Sequence, residues 1–128
     1  MSWHLIKHQI EKKIPKIELI DNINNKVFSS DLVSDKPIIY VFWSYDQNSH
    51  QISLFDRIFE FLKNNYNYNF YCININSDKK KWKETLKYIE KNKNMKHFKT
   101  TNFEVMSKKM VLNNLNKIIV TSNKGRII

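Results

Sequence analysis

A chain of 128 residues has room for one domain, and a domain of this size buries roughly two-thirds of the surface its unfolded chain exposes. A composition 41% hydrophobic and 13% aromatic excludes a disordered chain, and a single cysteine, Cys72, excludes an intrachain disulfide, a dithiol couple and a cysteine-based zinc cluster. The formal charge of +10 rests on 22 Lys plus Arg against 12 Asp plus Glu; only Arg57 and Arg126 are arginines, so the excess is lysine.

Abundant Asn and Ile beside that lysine, with one glycine, read as a compositional drift toward these three residues. A basic surface attracts phosphates in general. Base readout, however, favours arginine forks and exposed stacking aromatics, and here the aromatics lie inside apolar periodic segments. The lysines are therefore expected to form a solvated face, and nucleic acid is not the expected partner.

Trp3, Ile6 and Ile10 recur at helical spacing up to Ile14-Pro15, which marks residues 1–14 as a lead-in of helical character before a domain over 15–128. The first eight residues lack the uninterrupted apolar stretch of a signal peptide, and no run is long enough to span a membrane. The expected compartment is the cytoplasm. Lys16–Ile20 and Lys26–Phe28 flank an Asp-Asn-Ile-Asn-Asn turn in which asparagine takes the left-handed conformation glycine usually supplies, so a hairpin is expected. Ser30-Asp31-Leu32-Val33 has the pattern of a capped helical turn.

Pro37–Trp43 is the strongest strand, a continuous apolar run of the kind found where both sheet faces are covered, and it is expected to be central. Ile52, Phe55, Phe59 and Leu62 then share one helical stripe. Asn69–Ile75 is a second buried strand, and Ser77-Asp78 caps a helix carrying Trp82, Leu86 and Ile89. Strand, helix, strand, helix argues for a parallel pair joined by a right-handed crossover. Residues 92–101 are polar and basic, with no strand assigned. Phe103–Met110 has a short helical pattern, and Lys117–Thr121 and Arg126–Ile128 form a final hairpin around Gly125.

This order, with its central strand running into Phe-Trp-Ser, resembles the TlpA/ResA-like thiol-disulfide oxidoreductases, redoxin members of the thioredoxin-fold group, over roughly Ile14 to Ile128. The resemblance implies a three-layer α/β fold, a mixed β-sheet flanked by helices. In that family the strand ends in a segment like F-W-A-S-W-C-G-P-C, and the residues here are Phe42-Trp43-Ser44-Tyr45-Asp46-Gln47-Asn48-Ser49-His50. Both cysteine positions are lost, to Gln47 and His50. Ile73–Trp82 resembles the family's strand, Asp/Ser turn and tryptophan-marked helix. Asn114–Lys117 through Ser122–Ile127 resembles the later G-I-P-x-x-x-L-I-D-x-x-G-x-I pattern, with the family's cis-proline position on Asn116 after Leu115. A C-terminal helix usual in the family is absent from this sequence, which stops at the last hairpin. Members of the family are often periplasmic or envelope-associated.

The degenerate active-site positions are thus Trp43, Gln47, Asn48, Ser49, His50, Leu115 and Asn116, with Cys72 as a lone thiol. Dithiol exchange needs an attacking thiolate and a second, resolving thiol; Gln47 supplies neither. His50 at a helix start favours the neutral imidazole, and neither it nor the His4–His8 pair has enough partners at ligand spacing to hold a metal. No metal or cofactor is expected. Asp46, Asn48 and Ser49 are expected as helix caps, Trp43, Tyr45 and Trp82 as packing residues, and Cys72 as a small buried hydrophobe. The leading expectation is a redox-inactive module that binds a protein or peptide around the former active site. The alternatives are an enzyme using Cys72 or His50, a basic surface adaptor, and a degenerate product with no present role.

Overall fold

The computed structural model describes residues 13–32, 34–44, 48–75, 78–89, 91–112, 117–124 and 126–128, with residues 48–53 placed by backbone alone. The lead-in stripe of Trp3, Ile6 and Ile10, and His4 and His8, lie outside the described residues.

β1 (Glu18–Asp21) and β2 (Lys26–Phe28) form the expected hairpin, with Leu19 opposite Val27. Asp21 Oδ1 accepts from the backbone N–H of Ile23 at 3.0 Å and of Asn25 at 2.9 Å. Asn24 takes a φ of 70°, the left-handed conformation asparagine tolerates better than other non-glycine residues. The next segment departs from expectation: a 3-10 turn forms at Ser29–Asp31, with no side-chain cap. The nearby hydroxyl instead points inward. Ser29 Oγ accepts from Ile17 N–H at 2.7 Å and donates to the Pro15 carbonyl at 2.6 Å, tying the entering chain to the end of β2.

β3 (Ile38–Trp43), β4 (Asn69–Asn74) and β5 (Met95–Thr100) run parallel, joined by α1 (Asn48–Asn64) and α2 (Lys79–Tyr88). Both crossovers step in the same direction across the sheet, so right-handedness puts both helices on the same face. α3 (Phe103–Leu112) then leads to β6 (Ile118–Thr121), antiparallel to β3. The sheet order is β2-β1-β5-β4-β3-β6. β3 has a strand on each side, but the middle of the sheet lies between β5 and β4, one place away from the expected centre.

Asp78 caps α2 as expected, its Oδ1 accepting from Lys81 N–H at 2.8 Å. The final hairpin is also present: Ser122 N–H donates to Arg126 O and Ile128 N–H to Val120 O, each at 2.8 Å. Arg126 bridges in turn to Lys13.

Each sheet face carries its own core. Val41, Trp43, Phe70, Cys72 and Met95 pack under Phe55, Ile58 and Leu62 of α1 and Trp82 of α2. On the other face Leu19, Ile38, Tyr40, Tyr71, Ile73, Phe98 and Ile119 pack with Ile14 and Ile17 under Met106 of α3. Three layers result. Each fully buried side chain of this kind contributes roughly 1.5–3 kcal/mol from burial.

β5 is the main correction to the sequence reading. The stretch whose composition suggests a polar, basic connection is an interior strand paired on both sides, Cys72 opposite His97 on β4 and Leu19 opposite Thr100 on β1. Its apolar residues are too few to give a continuous run, and lysine at two of six positions masks the alternation.

Candidate functional site

All three parallel strands end on the same side of the molecule, and α1 and α2 start there. In open α/β sheets ligands bind in the crevice beyond these carboxyl ends. β6 begins at the same end: Phe42 N–H donates to the Lys117 carbonyl at 2.8 Å, and Ile75 N–H donates to the Trp43 carbonyl at 2.9 Å. The chain that emerges from position 116 is therefore hydrogen-bonded to the strand that leads into position 44.

Of the residues singled out by sequence, Trp43 is buried and meets Phe55 edge-to-face, ring centroids 5.3 Å apart. Asn48, Ser49 and His50 form the first turn of α1 by backbone, and their side chains lie outside the described residues. Tyr45, Asp46, Gln47, Leu115 and Asn116 also lie outside them, as do the capping roles expected of Asp46, Asn48 and Ser49.

Three exposed apolar side chains were not singled out by sequence reasoning, and they do not share one face: α3 covers the face of Leu19 and Tyr40, whereas Ile118 belongs to the other. Val111 and Leu112, at the close of α3, are 73% and 82% exposed, and Ile118, at the start of β6, is 57% exposed. Ile118 stands opposite Val41, so it continues the α1-side face of the sheet past the covered core. In sequence an apolar pair at a helix end looks the same whether it faces core or water. No local signal separates the two.

Cys72 is fully buried in β4, and burial pushes its thiol up to about 12, so it is protonated at neutral pH and a poor nucleophile. Its register partner His97 packs against Phe55, ring centroids 5.9 Å apart. His97 Nδ1 is shut off from solvent with no hydrogen-bond partner among the described residues. Burial pushes this imidazole down to about 4, so it is neutral at pH 7. Sequence reading passes over His97 because it falls in the unassigned segment. Lys99, two residues on, is lowered by burial, with Asp78 pulling the other way. Trp82 is fully buried as expected of a packing residue.

Lys79, Lys80 and Lys81 occupy the exposed first turn of α2 at the same end. Of the described ion pairs, Lys63 with Glu60 at 3.2 Å lies within α1, and Lys26 with Glu18 at 3.8 Å lies at the carboxyl end of β5, where Thr101 Oγ1 donates to Glu18. No group of three or more His, Cys, Asp or Glu among the described residues is placed to hold a metal ion. No described helix is long and apolar enough to cross a membrane.

Similarity to known proteins agrees with this architecture. A domain named a possible thiol-disulfide isomerase from Cytophaga hutchinsonii superposes with a TM-score of 0.68 at 16% identity, covering 93% of this chain and 81% of that one. The thioredoxin domain of a thiol-disulfide oxidoreductase from Bacteroides vulgatus gives 0.62 at 15% identity, covering 93% and 85%. A thiol:disulfide interchange protein from Bacteroides sp. gives 0.62 at 16% identity, covering 91% and 77%. At such identities these likenesses establish the fold. No curated protein matches the sequence. Residues 35–127 match the sequence model of a thioredoxin-like family, and with Cys72 as its one cysteine and no CxxC motif, the chain belongs to that thioredoxin-like family.

Proposed function

We propose that this domain is a redox-inactive protein- or peptide-binding module that uses the surface around Trp43, Gln47–His50 and Leu115–Asn116. The observation that carries the reading is the exposure of Ile118 at the start of β6, beside Lys117, whose carbonyl accepts from Phe42 N–H near the end of β3. The carboxyl ends of the parallel strands are where open α/β sheets take ligands, and an apolar side chain left exposed there is available to a partner. The chemistry supports it as well. Several structural neighbours are named for thiol-disulfide exchange, a reaction that needs two thiols, whereas this chain has one, held protonated in the core.

Two measurements test the reading. Insulin reduction with dithiothreitol as donor is expected to run no faster with the protein than without it; turnover equal to that of a dithiol thioredoxin overturns redox inactivity. In a 15N-labelled sample, Leu-containing hexapeptides are expected to shift the amide resonances of Ser44, Lys117 and Ile118 more than those of Asn64 and Ile89 at the opposite end. Shifts centred on the opposite end, or none from any peptide, overturn the binding role.

A further inference from the structure

The α1-side face of the sheet is covered only in part. Register puts Ile118 opposite Val41 and Val120 opposite Ile39. The last residues extend this face: Ile127 bridges to Thr121 and joins the other core, while Ile128, the next residue, donates its N–H to Val120 O at 2.8 Å. Side chains alternate across a strand, so Ile118, Val120 and Ile128 stand on the face that carries Val41 and Trp43. Neither core includes any of the three among the described residues, and Ile128 is 79% exposed. They form one apolar strip beyond α1.

The chain enters the described structure at the rim of this strip. Lys13 forms an antiparallel bridge to Arg126, one strand outward from the final hairpin. Lys13 is exposed, and Ile14 turns into the opposite core. Because the bridge is antiparallel, the chain before Lys13 heads back toward the level of Ile128 and then of Ile118. That chain is residues 1–12, which lie outside the described residues and carry Trp3, Ile6 and Ile10 on one helical stripe.

We propose that residues 1–12 dock on this strip as an amphipathic helix, with Ile10 beside Ile128, Ile6 beside Val120 and Trp3 beside Ile118. Length permits it. Lys13 lies level with Ser122, through Arg126, so it stands two strand spacings across and four residues along from Ile118, roughly 16 Å. A helix of ten residues is about 15 Å long. A segment tethered at the rim acts at an effective concentration of roughly millimolar, which favours it over a free second copy or a foreign chain. Trp3 then covers Ile118, so the lead-in competes with a partner for that residue. This competition rests on the binding role proposed above; the docking does not.

The test places a nitroxide on the full chain through Ser2→Cys. Cys72 is buried, so the label attaches at position 2 alone. The amide signals of Ile118, Val120 and Ile128 are expected to lose more than half their intensity relative to the reduced label, while Lys26 and Val27, on the far edge strand β2, keep theirs. Adding Trp3→Ser, Ile6→Ser and Ile10→Ser to the same chain restores the signals, with unmoved β4 and β5 resonances verifying the fold. No loss on the strip, or loss centred elsewhere, overturns the docking. Mixing 15N-labelled chain with unlabelled chain that bears the nitroxide is expected to cause no loss; loss there makes the occupant a second copy and overturns the intrachain assignment. For the competition, Trp3→Ser is expected to tighten binding of a Leu-containing hexapeptide by about threefold or more, and unchanged affinity overturns it. Failure of the peptides to bind either chain overturns the binding role and the competition with it, but not the docking, which the nitroxide decides.

Discussion

β4 and β5 are neighbours in register, both interior, and built on opposite chemical plans. Along β4, Phe70, Tyr71, Cys72 and Ile73 are buried one after another. Along β5 only Met95, Phe98 and Thr100 are buried, with Lys96, His97 and Lys99 between them. The second plan works because lysine is apolar along most of its length. Lys99 Nζ turns back to donate to the Thr100 carbonyl at 3.1 Å, and Lys96 Nζ lies over the Tyr71 ring, 5.9 Å from its centroid. The stems cover the sheet while the ammonium groups reach its rim. A strand can thus be interior by pairing and amphipathic by composition.

The sharpest way to break the comparison is to empty one position on each strand. Ile73 and Phe98 are register partners in the same core. If β5 is as much a part of the core as β4, Phe98→Ala lowers unfolding free energy by about 3–5 kcal/mol and Ile73→Ala by about 2–5 kcal/mol. Urea denaturation measures both. A loss below about 1 kcal/mol for Phe98→Ala would demote β5 to an edge element.

The next largest effect separates Cys72 from its neighbour His97. The His97 imidazole has a folded pKa near 4 against an ordinary 6.5, so between those values the unfolded chain binds more protons. Stability on this account is full above pH 6.5, falls as pH drops toward 4, and levels off below it. The integrated loss is about 3 kcal/mol. The groups to consider beside it are Cys72 on β4, which stays protonated throughout, and the cation Lys99 on its own strand, which adds repulsion to an imidazolium. In His97→Gln, the difference in urea midpoint between pH 7 and pH 4 is expected to shrink by most of that amount. An unchanged pH profile would place the acid sensitivity elsewhere.

The same contrast explains what can be read from sequence. The Pro37–Trp43 run, the Asn69–Ile75 run, the Asp78 cap and the asparagine turn each carry a local signal that tertiary structure does not override, and together they mark the fold. β5 carries no such run, because covering lysines interrupt it. At the candidate site the lack of a CxxC motif is legible directly, as it concerns residue identity. The exposure of Ile118 is not, since an apolar residue at the start of β6 reads as core until the elements around it are placed. His97 escapes notice for the same reason as β5.

A smaller effect tests the inert reading of Cys72. With its thiol pushed up to about 12 and no exposed surface, alkylation by iodoacetamide at pH 8 is expected to proceed only through unfolding, at least 100-fold slower than for glutathione. Cys72→Ala costs about 1–2 kcal/mol, a small buried hydrophobe and its cavity. Fast alkylation of the folded protein would show that the α1-side core opens at β4.

The smallest effect carries the finest distinction, between the two lysines of β5. Lys96 is exposed, so Lys96→Gln changes stability by less than about 0.5 kcal/mol. Lys99 lies on the α2-covered face, where burial disfavours its charge and Asp78 only partly compensates. Lys99→Met keeps the stem, removes the charge and gives up one hydrogen bond to Thr100 O. Because the ammonium group keeps substantial contact with solvent, screening limits the gain, and the expected result is a stabilisation of about 0.5 kcal/mol with the sign opposite to most substitutions in a sheet interior. Destabilisation of more than about 1 kcal/mol would mean that the Asp78–Lys99 attraction outweighs the cost of burial; α2 would then be held to the end of β5 by charge as well as by Trp82.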